Sequence, residues 1–166
     1  VKHSSLVNLV IEGADLAPAK SAVYTASDAL TFEELLAGAQ SIGTTLADAG
    51  VKRGDRVGIW MDKTPACVQV ILGAMWAGAA YVPLDPRAPW RRCRAILADC
   101  GVAALAVDGP RLSDLGSLMK GMDARLVIVD GERPESAQKE GGLLHGLSVD
   151  YLPEVIKRPA KELSMP

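Results

Sequence analysis

The chain has 166 residues with 20 acidic and 18 basic side chains, a net charge of −2, and that near-balance speaks against a general nucleic-acid binder, whose footprint is basic. Hydrophobic residues make up 49% and charged residues 23%, a globular mixture rather than a disordered one, and the length predicts one domain. The three cysteines, Cys67, Cys93 and Cys100, show neither CxxC nor metal spacing, no apolar run reaches the roughly 20 residues of a membrane helix, and no signal peptide opens the chain; a cytoplasmic protein that does not enter a membrane is expected.

In chain order, Ala22–Thr25 reads as a short strand and Ala26–Ala29 as its turn. The first helix is predicted over Thr31–Ala49. Thr31 and Glu34 stand at capping-box spacing, Leu30 and Leu35 at the spacing of a hydrophobic staple, and Leu35, Ala39, Ile42 and Leu46 share one helical face. Gly50 occupies the left-handed stop. Arg53-Gly54-Asp55 is read as a turn rather than an adhesion motif, and it leads into a strand over 56–61. Thr64-Pro65 opens a second helix that runs to residue 77 and closes at Gly78. Strand 80–84 follows, limited in its hydrogen bonding by Pro83. A third helix runs from Pro89 to Asp99 and is closed by Gly101.

Val102–Val107 is a fully apolar strand of the kind buried on both faces. Asp108-Gly109-Pro110 is a turn, Leu112–Met119 a fourth helix and 125–129 another strand. Gly131–Gly142 reads as a polar surface excursion, Val149–Ile156 as one last short element, and Lys157–Pro166 as a linker or severed connection. Strand and helix alternate about every 25 residues, which calls for a parallel β-sheet flanked by helices, an α/β fold. Residues 1–130 are expected to form the α/β subdomain and 131–166 the excursion and connection. A chain that opens on Val1 and stops at Pro166 without a closing element is expected to be part of a larger protein.

Little chemistry is legible directly. No GxxxxGK[ST], no GxGxxG after a strand and no GxSxG is present. Gly73 and Gly78 fall late in an apolar helix and read as close packing and a cap. His3 and His145 have no evident triad or metal partner. Cys93 and Cys100 share a helical face with core residues and lack the electropositive, exposed setting of a reactive thiol. Trp60, Trp76 and Trp90 read as packing rather than a base-stacking platform. Arg87, Arg91, Arg92 and Arg94 form the strong basic cluster; they are either a solvated helix face or a surface for an anionic partner such as a carrier protein or a phosphate.

Three segments carry a resemblance. Leu30-Thr31-Phe32-Glu33-Glu34-Leu35 resembles the first core motif of the adenylate-forming enzymes, the superfamily of acyl-CoA synthetases, luciferases and nonribosomal peptide adenylation domains. Val51-Lys52-Arg53-Gly54-Asp55-Arg56-Val57 is similar to that family's turn into a strand. Met75-Trp76-Ala77-Gly78-Ala79-Ala80-Tyr81-Val82-Pro83-Leu84-Asp85-Pro86 is similar to its second core motif, with Trp76 where a basic or small residue is common. The resemblance implies the N-terminal subdomain of an AMP-binding enzyme. It implies a parent that uses ATP and Mg2+ to convert a carboxylic or amino acid to an acyl-adenylate, then passes the acyl group to the thiol of CoA or of a carrier protein's phosphopantetheine. The wording of the second motif is closer to activators that load carrier proteins.

The family's phosphate loop, adenine pocket, magnesium- and ribose-holding carboxylate and lysine-bearing C-terminal domain do not occur in this sequence. The resemblance therefore implies no catalytic residue and no metal ligand here, and no cofactor bound to these residues alone. Arg111 is the nearest match to a basic residue that touches the CoA nucleotide phosphate in some relatives. Expected partners are the acid, a carrier protein, the remaining subdomains, and a second copy through exposed apolar surface, with neither nucleic acid nor membrane. The competing reading is a non-catalytic α/β binding or interaction module, including a flavodoxin-like nucleotide binder.

Overall fold

The computed structural model describes residues 5–132, 147–161 and 163. His3, His145 and all but the first two residues of the Gly131–Gly142 stretch lie outside them. The first element is a helix that the sequence reading passed over, α1 (Leu6–Leu16), capped by the Ser5 side chain, which accepts from the Asn8 amide. The expected strand is β1 (Ser21–Tyr24); the chain then turns and pairs with it antiparallel as β2 (Ala29–Thr31). β2 ends on the cap of α2 (Phe32–Asp48), whose capping box is complete. Gly50 follows with φ 84°.

The next elements match the expected alternation to within about two residues: β3 (Arg56–Trp60), α3 (Pro65–Trp76), β4 (Ala80–Pro83), α4 (Trp90–Cys100), β5 (Ala104–Asp108), α5 (Leu112–Met119) and β6 (Leu126–Asp130); the one short element expected over Val149–Ile156 is instead a strand and a helical turn, β7 (Ser148–Tyr151) and α6 (Leu152–Val155). A single 3-10 turn, Gly109–Arg111, separates β5 from α5.

β3 to β7 form one sheet in the order β4-β3-β5-β6-β7, and every neighbouring pair is parallel. Along β3, β5 and β6 the apolar side chains alternate between two cores. Val57, Ile59, Ala104, Ala106, Leu126 and Ile128 pack beneath α2, α3 and α6. Trp60, Leu105, Val107, Val127 and Val129 pack beneath α4 and α5. Strands buried on both faces need such near-continuous apolar runs, and β5 is buried at every position.

The segment expected to be a linker or a severed connection is not a free linker over its described part. Residues 157–161 are strapped onto α2: the Ser41 hydroxyl donates to the Arg158 carbonyl at 2.8 Å, the Lys161 amide donates to Thr44 Oγ1 at 3.0 Å, and Lys161 Nζ meets Asp48 at 2.7 Å. Buried hydroxyls on α2 require such partners, and the passing backbone supplies them.

Candidate functional site at the carboxyl edge of the sheet

Chain order changes direction between β3 and β5, since β4 lies on one side of β3 and β5 on the other. In open α/β sheets, ligands collect at the carboxyl ends of the strands beside such a switch point. Here β3 runs out into Asp62 and β5 ends on Asp108. Asp108 is only 8% exposed. One of its oxygens accepts from the Asp62 amide at 2.8 Å.

Arg111, placed by the 3-10 turn after β5, closes this edge. Its Nη1 pairs with both Asp108 oxygens. Its Nη2 donates to Asp62 Oδ1 at 2.9 Å and to the Pro86 carbonyl at 3.0 Å. The guanidinium carbon stands 5.8 Å from the centre of the Trp60 ring, whose Nε1 donates to the Asp85 carbonyl at 3.2 Å. One planar, five-donor side chain thus ties together the ends of β3 and β5 and the loop that follows β4.

Asp130 ends β6 in register with Asp108. Burial pushes its carboxyl above the usual range, and the charges of Asp108 and Asp28 add to that. Cys67, in the first turn of α3, is likewise pushed up by burial and by Asp130 and Asp108, so its thiol stays protonated at neutral pH and is a poor nucleophile. Among the described residues no group of three His, Cys, Asp or Glu side chains is arranged to hold a metal ion.

The other singled-out residues settle as follows. Cys93 is buried in the second core beneath α4, Cys100 packs against it, and all three cysteines are free. Trp60 and Trp76 are buried. Asp55 of the Arg-Gly-Asp triplet accepts from the Lys52 amide at 2.9 Å and from Arg125 at 3.0 Å, as a turn requires. Gly73 lies in the α2–α3 contact and Gly78, with φ 74°, closes α3. The sequence singles out Arg111, as a CoA-phosphate contact implied by the resemblance, and does not single out Asp62 or Asp108. An acid at the end of an all-apolar strand, three residues before an arginine, was the available signal. Two open cavities, of about 380 and 420 Å3, lie at the opposite, amino edge of the sheet, and their charged linings, such as Asp55–Arg125 and Asp150–Arg158, are paired.

Residues 12–160 match a protein family described as AMP-binding enzyme. The L-proline–[L-prolyl-carrier protein] ligase of Streptomyces coelicolor is 40% identical over 93 residues, covering 56% of this chain and 18% of that protein. Bacitracin synthase 3 of Bacillus licheniformis is 34% identical over 116 residues, 70% of this chain and 2% of that protein. Coronafacic acid ligase from Pectobacterium brasiliense has the same fold over 96% of this chain and 31% of its own, with a TM-score of 0.82 at 20% identity. The chain therefore spans less than a fifth of the two curated relatives.

Proposed function

The chain belongs to the AMP-binding enzyme family, and from that membership we propose that it is the N-terminal part of an ATP-dependent ligase that activates a carboxylic or amino acid. The observation that carries this reading is the family match over residues 12–160. In the reaction, the carboxylate attacks the α-phosphorus of ATP, pyrophosphate leaves, and an acyl-adenylate forms. A thiol, from CoA or from a carrier protein's phosphopantetheine, then takes the acyl group and AMP leaves. A relative named as an L-proline–[L-prolyl-carrier protein] ligase supports an amino acid as substrate.

These residues do not fit a magnesium–ATP site. Asp62 and Asp108 are turned onto Arg111, and phosphoryl chemistry depends on positioned donors and cations that no complete motif here supplies. On this proposal residues 1–130 are the scaffold subdomain, 131–166 lead toward the phosphate loop, and within that stretch β7 extends the sheet while α6 packs on its face. If CoA is the acceptor, Arg111 is placed to meet its nucleotide phosphate. Of the two carboxylates it holds, Asp62 is the exposed one, at 60% of its side chain, so the phosphate takes the place of Asp62. The free state of Cys67, Cys93 and Cys100 supports a reducing, cytoplasmic setting.

The test is carboxylate-dependent ATP–pyrophosphate exchange. The full-length protein that contains these residues is expected to exchange with at least one acid of a broad panel, and residues 1–166 alone with none. Exchange by the 166 residues would place the active site within them. No exchange by the full-length protein with any acid would favour the interaction module.

A further inference from the structure

α4 is charged against its own dipole. Arg91 and Arg92 sit in its first turn and Arg94 follows, whereas Asp99 stands near its end. Cations near the positive end of a helix are repelled. Its cap position holds Pro89, with no side-chain hydrogen bond. α1, α2 and α3 each begin on a capping hydroxyl, and α2 adds Glu33 and Glu34. Between Asp85 and Asp99 there are four arginines and no acid, in a chain whose net charge is −2. The positive field is therefore local to this rim and not a property of the whole surface.

The rim is open and held in place. The Arg87 side chain is 91% exposed and touches Asp85 only loosely, at 3.6 Å. Arg91 and Arg92 are exposed. The Arg91 guanidinium lies 5.0 Å from the centre of the Trp90 ring, which limits its wandering without neutralising it. The Arg92 side chain makes no hydrogen bond or ion pair with any described residue. The loop that carries Arg87 is pinned through the Pro86 carbonyl to Arg111, so the rim borders the carboxyl edge of the sheet.

Resting on the ligase reading above, we infer that Arg87, Arg91 and Arg92 form the docking surface for an acidic carrier protein that presents the acceptor thiol. Adjacent helical residues point about 100° apart, so Arg91 and Arg92 do not converge on a single phosphate; they suit acidic side chains spread over a protein surface. Charge complementarity of this kind accelerates encounter and selects partners.

The experiment uses the full-length protein with Arg91→Glu and Arg92→Glu together. The expected result is at least a tenfold rise in KM for the holo-carrier protein, at least a tenfold weaker direct binding of that carrier, and loss of the wild type's salt dependence. Acid-dependent ATP–pyrophosphate exchange and acyl transfer to free CoA stay unchanged. Acids at these positions favour the helix dipole, so the melting temperature is expected not to fall, and Arg91→Gln with Arg92→Gln gives an intermediate effect. Unchanged carrier binding in both variants would overturn the inference, as would an equal loss of transfer to CoA, which would mean the rim holds a nucleotide phosphate. Absence of exchange in the wild type would overturn the ligase reading instead, and the carrier-binding measurement still judges the rim.

Discussion

Thr31 and Glu34 do locally what Asp62, Asp108 and Arg111 do across the sheet: they satisfy charges and backbone groups at the ends of elements. The Glu34 amide donates to Thr31 Oγ1 at 3.2 Å, and the Thr31 amide donates to Glu34 Oε2 at 2.8 Å. Thr31→Ala is expected to lower stability by about 0.5–2 kcal/mol, read as a lower denaturant midpoint; an unchanged midpoint would count against the capping box. Hydrogen bonds from the Thr31 amide and hydroxyl hold the Glu34 carboxyl below its usual range. Its contribution is full above the ordinary glutamate value and is lost as pH falls through the depressed one, so the wild type's advantage narrows on acidification. Asp130 has the opposite sign, because its carboxyl is pushed up, first by burial. Above that raised value its ionised form disfavours folding. Asp130→Asn is expected to raise the midpoint at pH 7, with the gain vanishing once pH falls below the ordinary aspartate value of about 3.9; a loss of stability at pH 7 would contradict it. The capping box was legible because its partners are three residues apart. The Asp62–Arg111 contact spans 49 residues, and only the folded sheet brings those side chains together.

At the scale of elements, the pairing of α2 with α3 turns on two glycines. A Cβ at Gly73 would lie 2.6 Å from Ile42 Cβ and 3.2 Å from the Ala39 carbonyl oxygen, and one at Gly43 would lie 2.8 Å from Trp76 Cδ1. Trp76, the departure from the second core motif, is thus accommodated by the absence of a side chain on the facing helix. Gly73→Ala pushes on the backbone of α2 rather than on a movable side-chain tip, and is expected to cost about 1–3 kcal/mol. Thermal unfolding reads this as a lower melting temperature, and an unchanged one would mean that the helices part without penalty. The parallel strands and the capped helices could be read from the sequence because period, cap and stop agreed. α1 could not, because Leu6, Val7, Leu9, Val10 and Ile11 form an apolar run without a clean period. β2 was hidden because it is three residues long and runs straight into the α2 cap.

At the scale of the whole molecule, α1 is the element with a face to spare. Its inner side buries Val7 and packs Val10 against Leu35, Ala39 and Leu72. Its outer side presents Leu6, Leu9 and Leu16, which are 59%, 54% and 86% exposed. At about 100° per residue these three lie on one stripe. Tyr24 on the neighbouring hairpin is 77% exposed, so apolar surface continues off the helix. Single exposed leucines are ordinary, whereas a stripe of them marks a contact surface. On the proposed reading the occupant in the full-length protein is another part of the same chain, and in the isolated 166 residues it is a second copy. Sedimentation of residues 1–166 is therefore expected to show a weight-average mass that rises with concentration. Leu9→Lys together with Leu16→Lys should return it to a monomer, and the helical far-ultraviolet signal should persist because neither side chain is part of the core. A wild-type chain that stays monomeric at high concentration, or a doubly substituted chain that associates as strongly, would show that the stripe is not what brings copies together.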